Sequence, residues 1–276
     1  MKPFKGKAIY NPSGKAGEYS YWACNFYKGC SNGCTYCYLK KGVLAHAMGG
    51  DKPELKACFK NETHALEVFQ KELQQNLEEL RKHGLFFTFT SDPMLSECID
   101  LTWDAVGNAI YNQVPVKILT KCTDWVSDFI IDSRPTRRID IEHNSMYAFG
   151  FTLTGHDELE QGASTNEERI EAMAKLHEAG FKIFASIEPI IDFDSSERMI
   201  AKTKSFCDLY KIGLQSGKTY SKDALIKFMN AVNFQLSMTS KIPKVYWKDS
   251  LLKQAGIERS ELPENCVTRE YNMFND

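Results

Sequence analysis

The 276-residue sequence predicts an α/β fold of about six strand–helix units around a mainly parallel sheet. Two observations carry that prediction. Short apolar runs alternate along the chain with longer segments whose apolar residues recur every third or fourth position. Stop signals such as His83-Gly84, Asp92-Pro93 and Gly180 punctuate the alternation, and no fixed repeat or low-complexity stretch interrupts it.

Residues 19–24 read as the first strand. Residues 38–62 are polar, with Gly42, Gly49, Gly50 and Pro53, and read as a long excursion that is helical in part. Over 63–83, Leu66, Phe69, Leu73, Leu77 and Leu80 form one apolar stripe of a helix. A strand over 85–90, a helix over 101–111, a strand over 116–120, a helix over 124–132 and a strand over 147–153 follow. Ser164 with Glu167, and Thr165 with Glu168, offer overlapping capping boxes for the next helix, with Ile170, Met173 and Leu176 inward. Then come a strand over 181–187, a helix over 195–205, a strand over 207–214, a helix over 222–232 and a short strand over 244–247. No composition break divides the chain, so residues 1–243 are expected as one core with an N-terminal extension, and 244–276 as an appendage packed on it.

Hydrophobic content of 43% and charged content of 25% are ordinary for a soluble globular protein. No run of about 18 apolar residues suggests a membrane helix. A net charge of −2 does not support a whole-surface nucleic-acid field, although Lys2/Lys5/Lys7 and Arg134/Arg137/Arg138 are local basic spots. The N-terminus lacks the apolar stretch of a signal peptide, so a reducing, cytoplasmic compartment is expected.

The most informative segment is Cys30-x-x-x-Cys34-x-x-Cys37, on a loop carrying Gly29 and Gly33 directly after the first strand. Three soft thiolates so close together suit an iron–sulfur cluster or zinc. A cubane would receive ligands for three of its irons and keep one open. Zinc would need a fourth ligand, for which His46 is a candidate. Nine cysteines are far from disulfide-scaffold density, and the six others (Cys24, Cys58, Cys98, Cys122, Cys207, Cys266) are scattered as small buried residues usually are.

The cysteine spacing, the aromatic Tyr36 before the last cysteine, and the run from Asn25 to Tyr38 resemble the radical S-adenosylmethionine (SAM) enzymes, in their spore photoproduct lyase-related branch. The resemblance covers roughly residues 20–215. It implies a partial (β/α)6 TIM-like barrel, a [4Fe-4S] cluster on Cys30, Cys34 and Cys37, and SAM on the open iron. It further implies reductive cleavage of SAM to a 5′-deoxyadenosyl radical, and an electron donor such as flavodoxin or ferredoxin. The substrate is left open: a nucleobase, nucleotide or nucleic acid, or in a second reading a peptide or protein. A reading from a different class is a zinc-stabilised binding module.

Strand ends are where α/β folds place their sites. Thr90, Ser91 and Asp92 follow the second strand, where the family meets the SAM amino group; a plain Asp-Pro turn is the alternative. Lys121 ends the third strand as a cation for the SAM carboxylate or a substrate phosphate, or as a surface lysine. Thr152 and Thr154 share a face by period two and are candidates for ribose. Arg169, after a family-like run from Glu160 to Ser164, is carried over as a SAM carboxylate ligand, against a surface ion pair with Glu167 or Glu168. Glu188 departs from the family pattern before Pro189 and is either a polar ligand or an ordinary carboxylate. Gly213 would allow close approach to a flat base, and Tyr36 would contact adenine. Cys98 and Cys122 lie near strand ends and are candidates for the hydrogen-donor cysteine of the lyase; structural thiols are the alternative.

Overall fold

The computed structural model of the chain describes residues 3–131 and 141–275. Lys2 and the basic spot Arg134/Arg137/Arg138 lie outside the described residues. In chain order the elements are β1 (Ile9–Tyr10), α1 (Gly14–Gly17), β2 (Ala23–Cys24), β3 (Tyr27–Lys28), α2 (Val43–Met48), β4 (Glu54–Leu55), α3 (Glu62–Gln75), α4 (Leu77–His83) and β5 (Leu85–Phe87). Then follow α5 (Ile99–Tyr111), β6 (Val116–Thr120), α6 (Trp125–Ile131), β7 (Tyr147–Thr152), α7 (Asn166–Glu178), β8 (Lys182–Ile190), α8 (Phe193–Thr203), β9 (Leu209–Leu214), α9 (Lys222–Ser237), β10 (Lys244–Trp247) and α10 (Asp249–Ala255).

The main sheet has 8 strands in the order β1-β2-β5-β6-β7-β8-β9-β10, parallel from β2 to β10, with β1 antiparallel at one edge. This is the expected open, barrel-like α/β sheet. Period-two alternation divides each strand between two faces. Phe87, Ile118, Phe149, Ile183, Ile212 and Val245 join the core beneath the helices. Ala23, Phe86, Ala148, Phe184, Leu209 and Tyr246 fill the concave interior, where Met273 from the C-terminal segment joins them. Higher up the same inner face, Thr152, Ser186, Glu188 and Lys248 replace apolar residues at the carboxyl edge. The interior therefore changes from a largely apolar plug, in which Lys117 and Lys211 are the charged exceptions among the described residues, to a polar mouth.

The C-terminal segment reaches the amino end of the barrel. Phe274 packs at Gly84, just before β5, and Asn272 Nδ2 donates to Lys82 O at 2.9 Å. Residues 244–247 continue the parallel sheet next to β9.

Local signals explain the helix boundaries. Thr165 and Glu168 form the reciprocal capping box of α7, while Ser164 Oγ accepts from the Thr123 backbone N–H at 3.1 Å instead. Asp192 caps α8 through Ser195 N, so the helix starts at Phe193, two residues earlier than the pattern suggests. The single helix expected over 63–83 is two, broken at Asn76, whose side chain donates to Glu72 O at 2.8 Å and whose backbone leaves the helical region. β1 carries no periodic signal. Glu72 holds it by accepting the backbone N–H groups of Lys7, Ala8 and Ile9 at 2.7, 3.0 and 2.7 Å. Among the described residues, no helix is long and apolar enough to cross a membrane.

Candidate active site

The cysteine loop leaves β2 and β3 at the carboxyl edge of the sheet and is sutured on both sides. Cys30 N donates to Gly50 O at 3.0 Å. On the other flank Cys34 pairs as an antiparallel bridge with Glu160, Thr35 N donates to Leu159 O at 3.0 Å, and Gly162 N donates to Asn32 O at 3.0 Å. A side chain at Gly162 would collide with Ser31 O, so the glycine permits this approach.

Cys30, Cys34 and Cys37 line one cavity of about 310 Å³. All nine cysteines are free thiols. Burial pushes the Cys30 thiol up to about 12 and raises that of Cys34, so a ligand ion has to displace the proton. Among the described residues, no three His, Cys, Asp or Glu side chains converge on a single metal-ion position. Thiolates bound to different irons of one cubane need no such convergence. His46 lines a separate cavity with Lys28 and Glu54.

Asp92 is the hub of the site. Its Oδ1 accepts from Thr120 Oγ1 at 2.6 Å and Met94 N at 3.1 Å. Its Oδ2 accepts from Asn32 Nδ2 at 2.8 Å and Lys121 N at 2.8 Å. The carboxylate lines the cavity, but all four bonds join protein segments, so its geometry is that of a positioning residue. Ser91 also lines the cavity, with its hydroxyl 3.7 Å from Cys98 Sγ. Thr90 is not among the lining residues; its hydroxyl donates to Tyr27 O at 2.5 Å.

Glu160 anchors the opposite flank. It is buried and accepts from the Tyr36 hydroxyl and from Arg169 Nη1, the latter at 2.7 Å. Lys121 Nζ lies 3.9 Å from the same carboxylate and 5.6 Å from the centre of the Tyr36 ring. Burial opposes the Lys121 charge, yet Cys34 and Glu160 outweigh it and hold its pKa above the usual lysine value. Arg169 is fully buried; its Nη1 also donates to Thr152 O at 2.8 Å, while Nε and Nη2 have no partner among the described residues. It is absent from the cavity lining, and its carboxylate partner is Glu160, neither Glu167 nor Glu168. Thr152 lines the cavity, whereas Thr154 lies beyond the strand and its hydroxyl accepts from His156 N at 3.3 Å.

Across the cavity stands a second polar group. Tyr19 donates to Glu188 Oε2 at 2.9 Å and bonds Ser186 Oγ at 2.6 Å. Lys248 Nζ lies 3.0 Å from Glu188 Oε2 and 3.4 Å from Glu18 Oε2, and sits 4.4 Å from the centre of the Tyr19 ring. Gly213 makes room for this pair: a Cβ there would stand 2.7 Å from Lys248 Cδ and 2.8 Å from Glu188 Oε1. The glycine thus serves packing between side chains, and it does not line the cavity.

Cys98 and Cys122 are not part of the cavity wall, where Cys30, Cys34 and Cys37 are the cysteines present. Cys98 is buried at the start of α5, and Cys122 Sγ donates to Asn32 Oδ1 at 3.7 Å. Burial pushes the Cys98 thiol up to about 12 and raises that of Cys122. Tyr19, Asn32 and Lys248 were not singled out from the sequence. Lys248 had a usable signal, since it directly follows the last strand at the site-bearing edge.

No family model matches the chain. An uncharacterized protein of Methanocaldococcus jannaschii is 26% identical over 219 residues, which cover 75% of this chain and 74% of that protein. Among solved structures, spore photoproduct lyase complexed with dinucleoside spore photoproduct superposes with a TM-score of 0.52 and 18% identity, covering 83% of this chain and 64% of the lyase. Streptococcus suis SuiB bound to S-adenosylmethionine gives a TM-score of 0.52 and 11% identity, covering 84% of this chain and 51% of SuiB. The chain thus spans less than two thirds of the length of these solved proteins. Its architecture, an open and mainly parallel α/β sheet, is the fold shared with spore photoproduct lyase and SuiB.

Proposed function

We infer that this chain is a radical SAM enzyme in which Cys30, Cys34 and Cys37 hold three irons of a [4Fe-4S] cluster and SAM takes the fourth. The observation that carries this reading is the placement of three free thiols from one short loop on the wall of one 310 Å³ cavity at the carboxyl edge of the sheet. The donor set fits a cubane with one open iron. Bound there, cluster and SAM would supply reductive cleavage to a 5′-deoxyadenosyl radical that removes a hydrogen atom from the substrate.

The chain's own residues bind, orient and exclude water. Asp92 fixes Asn32 and hence the middle of the cysteine loop. Arg169 and Glu160 fix Tyr36, which lines the cavity between two of the cysteines. Ser91, Lys121 and Thr152 offer polar contacts to SAM, and Leu39, Phe89, Leu119 and Leu214 supply apolar stretches of the wall. Arg169 acts here through Glu160 as a positioning residue. A nucleobase or nucleic acid substrate is supported by the dinucleoside spore photoproduct bound in the neighbouring lyase structure. An electron donor such as flavodoxin or ferredoxin and a cytoplasmic setting complete the reading.

Iron and acid-labile sulfide analysis of protein prepared without oxygen tests it. The expected result is about four of each per chain. Stoichiometric zinc without sulfide would overturn it.

A further inference from the structure

The Glu188 carboxylate lines the same cavity as the three cysteines, and its two oxygens differ. Oε2 accepts the Tyr19 hydroxyl at 2.9 Å and lies 3.0 Å from Lys248 Nζ. Oε1 makes no hydrogen bond among the described residues. The support is rigid. Lys248 is 0% exposed, and its ammonium also lies 3.4 Å from Glu18 Oε2 and donates to Lys15 O at 2.9 Å, so it is not available to Oε1. Glu18 is itself held by Tyr246 and the Asp249 backbone N–H. Tyr19 and Lys248, from opposite ends of the chain, thus hold one acceptor oxygen ready.

We propose that Glu188 reads the substrate: its Oε1 accepts a hydrogen bond from a neutral N–H of amide or imide type. This rests on the function proposed above, since the substrate has to share the cavity with the cysteine loop. The N–H is neutral because Lys248, which lies between Glu188 and Glu18, and Lys15 on the same cavity wall together match these two carboxylates, so a further cationic group would meet like charge. The rings of Phe89 and the half-exposed Tyr38 on the cavity wall suit a flat group. Oε1 has the donor-seeking chemistry of an ionised carboxylate, and a substrate that leaves it unpaired on closure bears the desolvation cost.

Glu188→Gln tests the assignment without changing shape. Tyr19 and Lys248 are both donors, so the carboxamide oxygen has to occupy the Oε2 place. Its NH2 then takes the Oε1 place, and the acceptor becomes a donor. The measurement is equilibrium dialysis of the reconstituted protein with SAM against two probe pairs: uridine with 3-methyluridine, and N-acetylglycinamide with its N,N-dimethylamide. Wild type is expected to hold the N–H-bearing member of one pair roughly tenfold more tightly. In Glu188→Gln that ratio falls to one or below, and in Glu188→Ala it falls to about one. Discrimination within the uridine pair places the N–H on a ring, and within the amide pair on an open chain; either sustains the proposal. No discrimination by wild type in either pair overturns it, as does a wild-type ratio retained in Glu188→Gln. Dialysis reads binding whether or not SAM is cleaved. Absence of 5′-deoxyadenosine from wild type would therefore count against the proposed function and leave the ratio to judge Glu188.

Discussion

The Asp92 carboxylate accepts a hydrogen bond from Asn32 Nδ2 at 2.8 Å and thereby ties the end of the second parallel strand to the centre of the cysteine loop. With Thr120 and Lys121 on the same carboxylate, one buried side chain registers three loops. Asp92→Asn puts an NH2 where two donors already point. A loss of about 2–3 kcal/mol is expected, together with reduced iron retention. Chemical denaturation and iron analysis of the same preparation check both effects.

Cys30, Cys34 and Cys37 share the cavity, whereas Cys98 and Cys122 stand behind it. Single alanine variants at the first three positions are expected to lose most of the iron. Cys98→Ala and Cys122→Ala are expected to keep it, with Cys98→Ala less stable by about 1–2 kcal/mol because the site is buried. Iron per chain and thermal unfolding separate the two groups.

Arg169 and Glu160 form a fully buried pair at 2.7 Å. Removing one partner leaves an uncompensated charge, so Arg169→Met is expected to cost about 3–5 kcal/mol. The double variant Arg169→Met with Glu160→Gln should recover part of that loss. Urea midpoints of the single and double variants read the coupling.

Burial pushes the Lys117 ammonium down to about 8. Its folded pKa lies below the unfolded one, so the folded state carries the cost of the charge in full below pH 8. That cost is relieved as pH rises from about 8 towards the ordinary lysine value of 10.5. Lys117→Met should therefore be the more stable form at pH 7, and its advantage over wild type should shrink between about pH 8 and 10.5 by roughly 3 kcal/mol at most. Denaturation curves at several pH values measure the gap.

Much of the framework was legible because its signals are local. The short apolar runs at Val116–Thr120 and Tyr147–Thr152 mark strands, and Thr165 with Glu168 marks a helix start. The cysteine loop followed from the first strand and sits at the expected edge. What could not be read is what distant segments supply. Tyr19 meets Glu188 across 169 residues of chain, and Asn32 meets Asp92 across 60. The family resemblance implied a SAM role for Arg169, but its carboxylate partner is Glu160, nine positions away and buried with it. Gly213 read as space for a ligand, and it is space for Lys248 and Glu188. In each case the residue type was suggestive and the partner, fixed only by the folded sheet, decided the role.

The most direct measurement of the central claim is 5′-deoxyadenosine released when reduced, oxygen-free protein is incubated with SAM. Wild type with a full cluster should form it, and Cys34→Ala should not. A cluster-loaded wild type that yields no more than Cys34→Ala would contradict the account.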